Sequence, residues 1–179
     1  IQGTLNPRLH KPQLLVFAGD HGIAVDGISH APPGSTARLV QQLVTRQVPL
    51  GAFAGVNGAE LSVVDSGVAD PVAPHARLLA RKIAHGTRNS RVTSAMSLEQ
   101  AHAAIRAGME ISDALPGNLV AFAGIGVGTH EAAAAIIARL TGADLRALLN
   151  PGPQGNAEEL AHQLLVLENV LSRHRDMQD

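Results

Sequence analysis

The chain has 179 residues, enough for one domain with a sizeable core, and 45% of them are apolar. Aromatic residues are only 2%, with no Trp or Tyr, and the net charge is -1 from 14 basic and 15 acidic side chains. This excludes base-stacking nucleic-acid modules and any strong electrostatic footprint for nucleic acid or an anionic membrane. With no cysteine there is no disulfide framework and no thiolate zinc site, which fits a reducing, cytoplasmic compartment. No apolar stretch reaches the roughly 18 residues of a membrane span. Ile1–Thr4 lacks the pattern of a secretory leader and an initiator Met, so the chain is expected to be part of a longer one.

Residues 1–13, with Pro7 and Pro12, read as a lead-in loop. Leu14–Ala18 is an apolar run ending in Gly19-Asp20-His21-Gly22, the pattern of a buried parallel strand emptying into a loop. The chain then reads as loop to Pro33. Ser35 or Thr36 caps a helix running to about Gln47, with Leu39, Val40, Leu43 and Val44 on one face. A small-residue helix follows at 50–56. Glu60–Val68 is a second strand, ending in Asp65-Ser66-Gly67, and Leu78–Ile83 a short third. Ser97-Leu98-Glu99-Gln100 is a capping box opening a helix to about Leu115, with Ala101, Ala104, Ile105, Met109 and Ile111 near helical spacing. Leu119–Ala123 is a strand that runs into Gly124-Ile125-Gly126-Val127-Gly128, followed by an alanine-rich helix at about Glu131–Leu140. A loop holds Pro151, Gly152, Pro153 and Gly155. Ala157–Arg173 closes the chain as an amphipathic helix with Leu160, Leu164, Leu165, Leu167 and Leu171 inside. Strands alternating with helices predict an α/β fold: a doubly wound, mostly parallel sheet with helices on both faces.

In such sheets ligands bind at the carboxyl ends of the strands. Asp20 and His21 sit there, either as an acid/base or ligand-positioning pair, or with Asp20 simply capping the loop through backbone N–H groups. Gly124, Gly126, Gly128 and Thr129 precede a helix N-terminus, which suits phosphate. The spacing is G-x-G-x-G rather than G-x-G-x-x-G, so a tight turn using Gly for geometry is the competing reading. Arg88 and Asn89 either grip a carboxylate or phosphate or form a solvated turn. His10, His75 and His174 read as surface residues. No His pair has ligand spacing on a helix, so neither metal nor cofactor is expected.

Phe17-Ala-Gly-Asp-His-Gly22, then Gly86-Thr-Arg-Asn89 with Ala95-Met96-Ser97, then the strand, Gly-rich loop and alanine-rich helix ending Leu140-Thr141-Gly142, together resemble the nicotinate-nucleotide–dimethylbenzimidazole phosphoribosyltransferase family. The resemblance covers nearly the whole chain. It implies a Rossmann-like three-layer fold and a homodimer. It also implies transfer of phosphoribose from nicotinate mononucleotide to 5,6-dimethylbenzimidazole, with inversion at the anomeric carbon and release of nicotinate. Asp20, His21, Pro32, Thr36, Arg88 and Asn89 fall at substrate-binding positions, and Gly124, Gly126, Gly128 and Thr129 at the phosphate loop. The family's general-base glutamate lies in a C-terminal part beyond Asp179. Gly124 stands where the family has a glutamate, Thr129-His130-Glu131 where it has Asn-Thr-Thr, Ala31 where it has Ser, and Gln163 where it has a basic residue. The readings kept open are the transferase itself, a non-catalytic homologue that binds a nucleotide or protein, and a different α/β nucleotide-binding enzyme.

Overall fold

The structure is a computed structural model describing residues 3–6, 8–149 and 156–176. The loop expected at Pro151–Gly155 lies outside the described residues. Four strands, β1 (Gln13–Gly19), β2 (Glu60–Gly67), β3 (Leu78–Ala80) and β4 (Val120–Ile125), form one sheet in the order β3-β2-β1-β4, and every pairing is parallel. The helices are α1 (Ser35–Val44), α2 (Pro49–Val56), α3 (Leu98–Asp113), α4 (Thr129–Thr141), α5 (Leu145–Leu148) and α6 (Ala157–Arg173).

The alternation of β1 explains the layers. Val16 and Ala18 pack with Val40, Leu43 and Val44 of α1 and Ala54 of α2 on one face. Leu15 packs with Val64 and with Ile111 of α3 on the other. Successive strand residues point to opposite faces, and in a parallel sheet both faces need cover. A third cluster joins α4, α5 and α6 to Ile23 and Ile28. The predicted α/β, Rossmann-like architecture is therefore present, with helices on both faces.

Several boundaries differ from those the sequence suggests. The third strand is only Leu78–Ala80, because Arg81 leaves the ladder after its N–H reaches the Asp65 carbonyl at 3.0 Å. The expected loop 20–33 contains a 3-10 helix at Gly22–Asp26, closed by Gly27 at φ 73°. α1 ends at Val44, where Arg46 turns to φ 59°. α4 begins at Thr129, since Gly128 at φ 79° already serves as its cap. Ile105 and Met109 of α3 are 61% exposed and Leu165 of α6 59%, so these three do not face the core. The Ser97 capping box forms as expected, with Gln100 returning the bond to the Ser97 N–H.

Neither edge strand, the short β3 or the longer β4, pairs with a further strand among the described residues. β4 pairs only with β1. It has no charge or proline to protect that edge, and Phe122 is 65% exposed.

Candidate functional site

The chain runs outward from β1 to β2 and β3, then returns to place β4 on the other side of β1. The reversal falls between β1 and β4, and the crevice outside their carboxyl ends is where an open α/β sheet takes a ligand. An open cleft of about 780 Å³ lies there, lined by Ala31, Thr36, Arg38, Gly124, Gly126 and Thr129 among others. A smaller cavity of about 180 Å³ lies on the α3 side, bordered by Asp20, His21, Gly86, Thr87 and Met96.

Asp20 holds this edge together. Its Oδ1 accepts from the Thr36 hydroxyl at 2.5 Å and the Val127 N–H at 2.9 Å, and its Oδ2 accepts from the Ala69 N–H at 2.7 Å. The Thr36 hydroxyl, buried with its residue, also accepts from the Val127 N–H at 3.2 Å. One carboxylate thus ties the end of β1 to α1, to the loop after β2 and to the glycine loop after β4. Asp20 acts in the fold as a cap for backbone N–H groups. His21 donates its own N–H to the Val127 carbonyl at 2.8 Å. Burial pushes its imidazole pKa below the usual value, partly opposed by the Asp20 carboxylate.

The glycine loop divides into positions that geometry demands and one that it does not. A Cβ on Gly126 would lie 1.7 Å from the Gly19 carbonyl oxygen, and its φ is 149°. Gly128 needs its left-handed turn and would press a Cβ to 3.1 Å from His21. At Gly124 the nearest atom is Thr129 Cγ2 at 3.7 Å, so a side chain fits. The Val127 and Gly128 N–H groups are already bonded, the latter to Ser29 Oγ at 3.3 Å. The Thr129 N–H reaches the Gly126 carbonyl at 3.2 Å. Those of His130 and Glu131, in the first turn of α4, have no acceptor among the described residues. They leave the helix N-terminus able to receive an anion.

The predicted residues therefore separate. Thr36, Gly124, Gly126 and Thr129 line the large cleft, while Asp20 and His21 border the small cavity. Gly128 is buried beneath. Pro32 is exposed on the loop entering α1 and lines neither. Arg88 and Asn89 also line neither. Arg88 Nε donates to the Ser94 carbonyl at 2.8 Å, and Asn89 Nδ2 donates to Asp26 at 2.9 Å. His174, read as a surface residue, is half-buried with Nε2 2.8 Å from the Ser90 carbonyl. Gln163 is buried and donates to the Ile28 carbonyl at 2.8 Å. Sequence reasoning missed Thr87, whose hydroxyl accepts from the Gly22 N–H at 3.1 Å, and Asp26. Asp26 gave a signal only as an acidic residue four positions from Gly22. No helix among the described residues is long and apolar enough to cross a membrane.

The architecture and crevice define a Rossmann-like α/β protein, with a glycine loop and an open helix N-terminus at the sheet's switch point. A family model described as phosphoribosyltransferase matches residues 1–179, and the chain belongs to that family. It is 38% identical over 181 residues to the nicotinate-nucleotide–dimethylbenzimidazole phosphoribosyltransferase of Cupriavidus taiwanensis, covering 99% of this chain and 52% of that protein. To the protein of the same name from Variovorax paradoxus it is 36% identical, covering 97% and 50%. The crystal structure of CobT from Thermus thermophilus superposes with a TM-score of 0.88 at 30% identity, covering 98% of this chain and 54% of that one. The chain spans about half the length of the curated relatives it matches.

Proposed function

We propose that the protein carrying this chain transfers phosphoribose from nicotinate mononucleotide to 5,6-dimethylbenzimidazole, releasing nicotinate. The observation that carries the reading is the switch-point cleft with the open N-terminus of α4, in a chain matched from end to end by the family model. In this reading the first turn of α4 and Thr129 hold the nucleotide phosphate, and Thr36 and Gly124 wall the space for the reacting ring. A cationic nicotinate ring is a good leaving group, and an oxocarbenium-like transition state is stabilised by nearby negative charge. A base must take the benzimidazole N–H proton. Our reading assigns that base to a segment outside this chain, as the family resemblance implies. Pro32, His21, Arg88 and Asn89 remain proposed substrate-side residues, the last two acting through the position of their loop.

The chain is in this reading the N-terminal and central part of a longer α/β domain, in a cytoplasmic homodimer. The bare outer edge of β4, with exposed Phe122, supports a continuation of the sheet, as do exposed Ile136 and Leu140 on α4. The test is nicotinate release from nicotinate mononucleotide by the intact protein in the presence of 5,6-dimethylbenzimidazole, with direct binding of the mononucleotide alongside. Release with incorporation of the base is the expected result. Binding without release identifies a non-catalytic homologue or another acceptor base, and neither binding nor release overturns the reading.

A further inference from the structure

The segment 86–96 forms walls of two cavities. It supplies Gly86, Thr87 and Met96 to the one beside Asp20 and His21, and Ser90, Ser94 and Ala95 to an apolar one of about 360 Å³ between α4 and α6. It contains neither strand nor helix, so its position rests on what grips it. Most of the grip comes from the stretch following Asp20. The Thr87 N–H donates to the Asp20 carbonyl at 3.0 Å, and the Gly22 N–H to Thr87 Oγ1 at 3.1 Å. The two backbones lie so close at this point that a Cβ on Gly22 would be 2.5 Å from the Thr87 carbonyl oxygen.

The far end is held by Asp26. Arg91 Nε reaches its Oδ2 at 2.8 Å and Nη2 its Oδ1 at 2.7 Å, a bidentate fork. Asn89 Nδ2 adds 2.9 Å to Oδ2, and Asn89 Oδ1 takes the Arg91 N–H at 2.9 Å, closing the ring. The Asp26 side chain is 12% exposed and that of Arg91 40%, so the carboxylate is sheltered while water reaches the guanidinium side of the pair. From α6, His162 Nε2 lies 2.7 Å from the Asp26 carbonyl.

We infer that Asp26, Asn89 and Arg91 form a clasp that positions the 86–96 wall against the Asp20-His21 edge. They are positioning residues that touch no substrate, and the role rests on the function proposed above. The clasp explains why an asparagine and an arginine stand in a polar turn that lines neither the switch-point cleft nor the cavity beside Asp20.

The experiment compares Asp26→Asn, Arg91→Gln, Arg91→Lys and the double variant D26N/R91Q in the intact protein. It reads hydrogen exchange at the amides of 87–95 and the KM and kcat for nicotinate mononucleotide. Losing this partly exposed charged hydrogen bond should speed exchange there severalfold. KM should rise severalfold with kcat nearly unchanged. The double variant should be no worse than the worse single, because the residues act as one unit. Arg91→Lys should recover part of the effect, since an ammonium makes one contact where the fork makes two. Unchanged exchange, additive singles, or faster exchange with unaltered KM would each overturn the inference. If no nicotinate is released, the proposed function fails; the exchange data, with the mononucleotide Kd in place of KM, still decide the clasp.

Discussion

Replacing Gly126 by Ala tests the central claim about the glycine loop. The added Cβ would sit 1.7 Å from the Gly19 carbonyl oxygen and 2.8 Å from Thr129 Oγ1, so the end of β1 must retreat by more than an ångström. A backbone at φ 149° adds a conformational penalty of about 1–3 kcal/mol for a residue with a Cβ. Overpacking adds about 1–3 kcal/mol more. The total, about 4 kcal/mol, is a large part of a domain's usual stability of about 5–15 kcal/mol. Gly19 is joined to Asp20, so the retreat also pulls the carboxylate from the Val127 N–H it accepts at 2.9 Å. Urea unfolding of the intact protein should show the midpoint falling by about 2 M at an m-value near 2 kcal/mol/M. Gly124→Ala, with its nearest neighbour at 3.7 Å, is the control and should shift the midpoint little. A Gly126→Ala protein within about 1 kcal/mol of the parent, well under the summed cost of strain and overpacking, would refute the geometry.

Asp20→Ala should destabilise by about 1–3 kcal/mol in the same assay, because it takes the acceptor from the buried Thr36 hydroxyl and leaves the Val127 N–H only its 3.2 Å bond to Thr36, while the exposed Ala69 N–H turns to water; a loss under about 0.5 kcal/mol would show the carboxylate is not the staple. Gln163→Lys, which restores the basic residue of the resemblance, should cost about 3 kcal/mol, because it places an ammonium in the cluster around Leu167; unchanged unfolding would show that the charge escapes to water. Two groups contribute to the acid side of the stability profile. Burial lowers the His21 pKa below 6.5, so on acidification the unfolded chain protonates first and stability declines from about pH 6.5 downward. The hydrogen bond from Arg91 holds Asp26 below 3.8, so its contribution is full above that pH and lost only as pH falls through the lower folded value. His21→Gln should flatten the first slope and leave the second, as read from unfolding midpoints between pH 7.5 and 3. Finally, Phe122→Lys should reduce self-association of the isolated 179-residue chain by charging the bare β4 edge, measured by sedimentation; identical sedimentation would remove that edge as the sticky surface.

The elements that were legible are those in which neighbours along the chain do the work. β1 declared itself by an apolar run ending in Gly, and α3 by Ser97 and Gln100 three residues apart. α6 showed its limits through the leucine spacing after a Pro- and Gly-rich loop, although Leu165 faces solvent and the Asn156 cap emerges only in the structure. A 3.6-residue period marks an apolar face, but not which part of it another element covers. The start of α4 was placed two residues late, because the left-handed Gly128 is a backbone property with no side chain to betray it.

The sequence by itself determined the class: alternating strands and helices, a parallel sheet, and the stretches that resemble a phosphoribosyltransferase. Tertiary structure alone decided what each candidate residue does. The partners of Asp20 lie 16, 49 and 107 residues away, so whether it caps, binds or catalyses could not be read locally. The clasp of Asp26 with Arg91 spans 65 residues and took Asn89 out of the list of simple substrate grips. Local spacing controls secondary structure because backbone hydrogen bonds and side-chain periods are short-ranged. The chemistry of a site is set by groups that only the folded sheet brings within about 3 Å of one another.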